Sequence, residues 1–322
     1  MDYSALTTFT SPVILFFLLG LIAASLRSEL AIPEAIAKGM SLYLMAAIGL
    51  KGGVAVVESG LNAKIAFALL LGAGASLTMP LLAYALLRGF ARLDRINAGA
   101  VAAHYGSVSV VTFVTAKEVL GLNGMAPAGY MVAVLAVMET PAILTGLLLA
   151  RRGQPHPDRN GGELWRGVFL NASVVLLLGS FAIGAIAGPK GFEEVKPLFD
   201  SGFKGVLCLF LLDMGLIAAR RLMDARALTW RLAALAIGFP LINGAIGVGL
   251  GTLIGLDPGS AAIFGVLCAS ASYIAVPAAV RLALPQADPG IYLSMSLSLT
   301  FPFNILVGIS LFAAMANWLA GG

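Results

Sequence analysis

Charge is scarce in this sequence. Only 11% of its 322 residues are Asp, Glu, Lys or Arg, against 59% hydrophobic residues. So few charges cannot cover a soluble globule of this size, so a soluble enzyme or binding module is excluded and an integral membrane protein is left. Cysteine is nearly absent. Cys208 and Cys268 each lie inside an apolar run, which suits packed thiols and excludes a disulfide framework. No phosphate-cradling glycine loop, HExxH or CxxC occurs, so the chemistries those motifs carry have no footing here. The first apolar run, about 12 to 26, lacks a basic segment before it and a small-residue cleavage site after it. It is expected to be a retained span and not a signal peptide. The formal net charge of +4 is accounted for by membrane topology, and no nucleic-acid partner is expected.

What the sequence does have is apolar runs along nearly its whole length. A bilayer needs roughly 20 apolar residues per helix. Charged and Pro/Gly breaks then delimit ten expected spans: 11–27, 33–58, 64–87, 97–120, 127–150, 166–187, 202–219, 230–254, 259–284 and 289–319. If the loops alternate sides, every arginine falls on one side: Arg27, Arg88, Arg92, Arg95, Arg151, Arg152, Arg159, Arg166, Arg220, Arg221, Arg226, Arg231 and Arg281. Retention of basic residues makes that side the cytoplasm of a plasma (bacterial inner) membrane, with both termini outside. The polar stretch RRGQPHPDRNGGELWR then contains a cytoplasmic linker, 151–165. Residues 1–150 and 166–322 each hold five spans, an odd number, so two related halves would insert as an inverted repeat. Relation between the halves is suggested by position. Ser107 and Ser109 fall on Ser270 and Ser272, Pro141 falls on Pro302, and Lys51 falls on Asp213, at offsets of 161 to 163.

Two of these spans carry residues that interrupt helices. GSVSVVT, 106 to 112, lies in the fourth and ASASYIAVP, 269 to 277, in the ninth. A broken helix is tolerated in a membrane only where it is buried or lines a polar cavity. Small residues also let membrane helices approach closely, and serines bond back to their own helix. Two such segments at matching places in oppositely inserted halves favour a binding role. If both helices break and cross near the midplane, two half-helix N-termini face one point. Each presents about half a positive charge and unpaired N–H groups, enough to hold a small monoanion without a buried arginine.

Other intramembrane polar groups count as functional candidates because they are costly to bury. Glu139 stands mid-span before Thr140 and Pro141, and its counterpart stretch supplies Thr300 and Asn304 around Pro302. Carboxylate, hydroxyl and amide oxygens suit a hard cation such as sodium. Lys51 and Asp213 are candidates for a coupling ion pair or for separate local roles. His104 is read as a hydrogen-bonding residue or a proton relay. Lys117, Glu118 and Asp200 lie near span ends and are expected to reach the interface.

Four stretches resemble one family, the sodium-dependent bicarbonate transporters. They are IPEAIAKGMSLYLMAAIGLKGG (32 to 53), METPAIL (138 to 144), GVLCASASYIAVPAAVRLALPQADP (265 to 289) and LTFPFNILVGI (299 to 309). The resemblance implies an all-α membrane protein of ten helices in two inverted five-helix repeats, with the fourth and ninth broken and crossing, and with core and gate domains. It further implies a homotrimer, sodium-coupled bicarbonate uptake with no cofactor besides the coupling ion, and a PII-like regulator as a cytoplasmic partner. By the same resemblance the anion would sit at Gly106, Ser107, Ser109, Ser270, Ala271 and Ser272. Thr112, Glu139, Thr300 and Asn304 would be nearest to sodium. One departure is visible. Family members read like GAVSGST where this chain has GSVSVVT, so Val110 and Val111 replace a glycine and a serine, which leaves the choice of anion open.

Three further readings stay open on the sequence. A cation/proton antiporter could use the same crossed helices, but no Asp or Glu lies mid-span in either crossing segment. A sensor would bind the ligand without moving it. An intramembrane enzyme would need His104 and Ser107 as a pair, with nothing third to orient the histidine.

Overall fold

The computed structural model describes residues 10–60, 63–152, 172–223, 225 and 228–321. Most of the expected linker, 151–165, and the first nine residues lie outside the described residues, as do Arg159, Arg166 and Arg226. Among the described residues the fold is helical. Its helices are α1 (Pro12–Ser25), α2 (Glu34–Ser59), α3 (Ala63–Gly89), α4 (Arg95–His104), α5 (Val110–Leu122), α6 (Met131–Met138) and α7 (Pro141–Arg151). They continue as α8 (Ala172–Lys196), α9 (Phe203–Met223), α10 (Trp230–Leu253), α11 (Pro258–Ala269), α12 (Ala275–Ala283) and α13 (Pro289–Leu319).

Local chemistry sets many of these starts. Proline occupies the first turn of α1, α7, α11 and α13, where its missing N–H has no helical acceptor to lose. Asp94, Ser109, Thr229, Asp257 and Asp288 cap α4, α5, α10, α11 and α13 by accepting backbone N–H groups of the first turn. In α8 the chain kinks at Gly188, φ 62°, just before Pro189, where the sixth expected span ends. The final helix is widened by π-helical segments at Ser294–Thr300 and Asn304–Gly308.

Six helical stretches among the described residues are long and apolar enough to cross a membrane. The fourth and ninth expected spans are not among them, because non-helical residues separate α4 from α5 and α11 from α12, and neither is the first, whose helix α1 is 14 residues long. Large apolar side chains such as Leu19, Ile22, Phe67, Leu70, Leu148, Ile183, Ile186 and Leu253 lie exposed on the outer faces. A surface of this kind belongs in lipid, and the protein is an integral membrane protein.

Glycine governs the closest helix contacts. Helix α1 meets α9 where a Cβ on Gly20 would lie 2.2 Å from the Leu212 carbonyl oxygen, and one on Gly215 2.3 Å from that of Phe17. Helix α2 meets α8 in the same manner, through Gly53 against Phe181 and Gly184 against Leu50. The stretch GLKGG at 49 to 53 is therefore a packing surface. Because the obstructing atoms are backbone, Gly215→Val is expected to force the helices apart at a cost of about 2 kcal/mol. A lowered thermal midpoint in detergent checks this, and an unchanged midpoint would mean that α1 and α9 do not approach so closely.

Charged groups bind near helix ends. Arg95 donates to the Arg152 carbonyl at 3.1 Å, Arg151 to that of Ala283 at 3.0 Å, and Arg220 to that of Leu30 at 2.6 Å. Burial raises the Asp94 carboxyl, but hydrogen bonds from the Asn97 and Ile96 backbone and the Asn97 side chain outweigh it and hold the group below its ordinary value.

Candidate functional site

Helix α4 ends at His104 and α5 restarts at Val110, while α11 ends at Ala269 and α12 restarts at Ala275. The two breaks lie against each other. Tyr105 and Ala271 form an antiparallel bridge, and the Ser272 N–H donates to the His104 carbonyl at 3.1 Å. The His104 Nδ1–H donates back to the Ser272 carbonyl. His104 thus pins the crossing, and its ring stacks on Tyr292 at 5.0 Å between centroids. Backbone groups freed by two helix ends find partners in each other, as buried polar backbone must.

Gly106 makes the first break sterically feasible. Its φ of 121° is a conformation that side-chain-bearing residues rarely adopt, and a Cβ there would lie 2.8 Å from Pro80 Cδ. The serines that follow have different partners. Ser107 donates to the Glu139 carbonyl at 2.8 Å, while Ser109 caps α5 and accepts from both the N–H and the hydroxyl of Thr112. Ser270 donates to Val266 in its own helix at 2.7 Å, so its hydroxyl is used locally.

A small cavity of ≈ 10 Å³ sits between the restarted helices, lined by Ser109, Val110, Glu139, Ser272, Tyr273 and Ala275 among others. The N-termini of α5 and α12 both border it, and Glu139 is the one formally charged side chain in its lining. Space of this size holds about one water. An anion of four heavy atoms such as bicarbonate needs the cavity to widen. Val110 narrows it directly, and Val111 lines an adjoining apolar cavity with Met45, Val114, Phe210 and Ile274.

Of the residues expected at the site, Ser109, Glu139 and Ser272 share this cavity, and Gly106, Ser107 and Ala271 build the crossing beside it. Thr300 and Asn304 do not line it. Thr300 donates to the Ala236 carbonyl at 2.6 Å and is hydrogen-bonded to the Tyr105 hydroxyl at 2.7 Å. Asn304 donates to the Ala269 carbonyl at 2.9 Å, leaving its Oδ1 without a partner. The pairing of Lys51 with Asp213 is corrected. Lys51 bonds Asp200 at 2.5 Å, whereas Asp213 is buried with its Oδ2 unpartnered. Lys51 does meet α9, but at Phe203, whose ring centroid is 4.5 Å from its Nζ and which stands ten residues before Asp213.

Three contributors were not anticipated from sequence. Ser76 of α3 bridges the interruption between α6 and α7, donating to the Met138 carbonyl at 2.7 Å and accepting from the Ala142 N–H at 3.1 Å. Tyr105 ties the crossing to α13 through Thr300. Tyr273 lines the cavity with Ser109. The lone serine in an apolar run and the tyrosines flanking each break were the only signals available.

Among the described residues no group of three or more His, Cys, Asp or Glu is placed to hold a metal ion. The family model described as the Na+-dependent bicarbonate transporter superfamily matches residues 12–317, nearly the whole chain. No match is found among curated proteins.

Proposed function

The chain belongs to the Na+-dependent bicarbonate transporter superfamily, and we propose that it imports bicarbonate or a similar small monoanion together with sodium, by alternating access. The observation that carries the reading is the convergence of two half-helix N-termini and one carboxylate on a single cavity. The N-termini supply positive potential and donors for the anion. The Glu139 carboxylate supplies the negative charge that a sodium ion requires, and Ser109 and Ser272 add oxygens to the same cavity, with Thr112 hydrogen-bonded to Ser109 behind it.

In this reading the ten expected spans form two inverted five-helix repeats, 1–150 and 166–322, joined by the cytoplasmic segment 151–165. The reciprocal packing of α2 on α8 and α9 on α1 supports it, since the second helix of each half meets the first helix of the other. The matching breaks of the fourth and ninth spans support it as well. Helices α1, α2, α8 and α9 would form the gate, and the remainder the moving core. Both termini then lie outside, with the arginine-rich loops in the cytoplasm. A homotrimer and a PII-like cytoplasmic partner remain expectations of the family resemblance.

The test is uptake of radiolabelled bicarbonate into proteoliposomes with and without an inward sodium gradient. Sodium-stimulated accumulation is expected, reduced at least tenfold when Ser109→Ala and Ser272→Ala are combined, a loss of about 1.4 kcal/mol or more. Absence of accumulation by the folded parent protein would reject bicarbonate. Uptake that appears only in Val110→Gly with Val111→Ser would show that the narrowed cavity selects another anion.

A further inference from the structure

Three cavities follow one seam along α5, with α2 lining all three and α9 the second and third. The first is the crossing cavity, and the second shares Met45, Val110 and Ile274 with it. The second and third share Val114. The third, ≈ 20 Å³, is lined by Ile48, Lys51, Val114, Lys117, Glu118 and Phe203 among others. The registers agree on all three helices. Met45, Ile48 and Lys51 are steps of three on α2, Val110, Val114 and Lys117 are steps of four and three on α5, and Phe210 and Phe203 are seven apart on α9. Such spacings keep residues on one helix face, and seven residues span roughly 10 Å along a helix. The third cavity therefore ends the same seam about two helical turns beyond the crossing.

Its charges do not balance. Lys51 pairs with Asp200 at 2.5 Å and Lys204 with Glu118 at 2.8 Å. Lys117, half-buried in the cavity wall, makes no hydrogen bond or ion pair among the described residues. Two carboxylates and three ammonium groups leave one net positive charge, with Lys117 in the field of Lys51, Glu118 and Asp200 but paired with neither carboxylate. All seven lysines but Lys38 fall in or beside loops on the side opposite the arginines, or on the span ends that adjoin them.

We propose that Lys117 forms an outer recruitment site for a small oxyanion, which it holds at the end of the seam before passage to the crossing cavity. The inference rests on the transport reading above. A lone cation in a partly desolvated cleft attracts an anion more strongly than one in open water, and neighbouring charges set the local concentration of substrate. Lys51 and the Lys204–Glu118 pair frame the site, the latter joining α9 to α5 across the seam.

Initial rates of bicarbonate uptake, measured over a range of external concentrations in proteoliposomes, test this with Lys117→Gln and Lys117→Arg. Lys117→Gln is expected to raise KM roughly tenfold with the maximal rate retained, and Lys117→Arg to restore it, because charge and not shape is the operative property. An unchanged KM in Lys117→Gln overturns the proposal while leaving the transport reading intact. So does a fall in maximal rate alone, or an arginine variant as impaired as the glutamine one. Absence of sodium-stimulated uptake by the parent protein overturns the transport reading and this inference with it.

Discussion

Glu139→Gln is expected to weaken sodium binding, raising the sodium concentration for half-maximal uptake by more than tenfold. Glu139 sits between α6 and α7, 3% exposed, in the wall of the crossing cavity. Among the described residues no cationic side chain lines that cavity with it. An ionised carboxylate removed from water without a partner is strongly disfavoured, so the group either takes up a proton or is compensated by a cation bound beside it, and sodium coupling uses the second. Glutamine keeps the shape and one carbonyl oxygen but removes the charge, so a change in sodium response reports charge and not packing. The helix geometry should survive, because the Glu139 atom that holds Ser107 is its backbone carbonyl. Initial rates at fixed bicarbonate and varied sodium provide the measurement. A Gln variant with the parent's sodium curve would remove Glu139 from the coupling site and turn attention to Asp213, the other buried carboxylate among the described residues.

The second large effect is at Gly106. Replacing it with alanine is expected to destabilise the protein by about 3 kcal/mol and to reduce uptake at least tenfold, from two separable causes. One is backbone strain, because φ of 121° is poorly accessible to any residue with a Cβ. The other is contact, since the added carbon would lie 2.8 Å from Pro80 Cδ and 3.2 Å from the Ser76 carbonyl oxygen. Adding Pro80→Ala removes the first of those contacts and leaves the strain, so the double variant should recover part of the lost thermal midpoint. Full recovery would assign the whole effect to contact, and no loss in the single variant would mean that the break does not depend on this conformation. The consequences should spread, because Ser76 next to this contact also holds the interruption between α6 and α7.

How legible the site was in the sequence depends on the range of the forces involved. The breaks near Gly106 and Ser272 could be read from single segments, because glycine, serine and proline act on the backbone within a few residues of themselves. Glu139 could be flagged because a carboxylate in an apolar run is costly wherever it ends up. Its company could not. Ser109 and Ser272 come from segments 30 and 133 residues distant along the chain, and only packing brings them to one cavity. Thr300 and Asn304 illustrate the limit. Their hydroxyl and amide suited a cation by chemistry, yet in the fold they serve Ala236, Tyr105 and Ala269. Lys51 matched Asp213 by repeat position, and Asp200, in the π-helical turn Pro197–Ser201, pairs with it instead.

Composition alone made this a membrane protein, because the balance between water and lipid is a sum over side chains and needs no coordinates. The helical class follows from the length of its apolar runs, since a chain in lipid must satisfy its backbone within each span or in a closed barrel, and barrel strands are about half as long. Which polar groups meet was decided by the tertiary structure. Glycine faces on α1, α2, α8 and α9 select partners through backbone approaches too close for a Cβ, and His104 and Ser272 lock the two breaks together. Those choices depend on distances between residues more than a hundred positions apart, which local propensity does not encode.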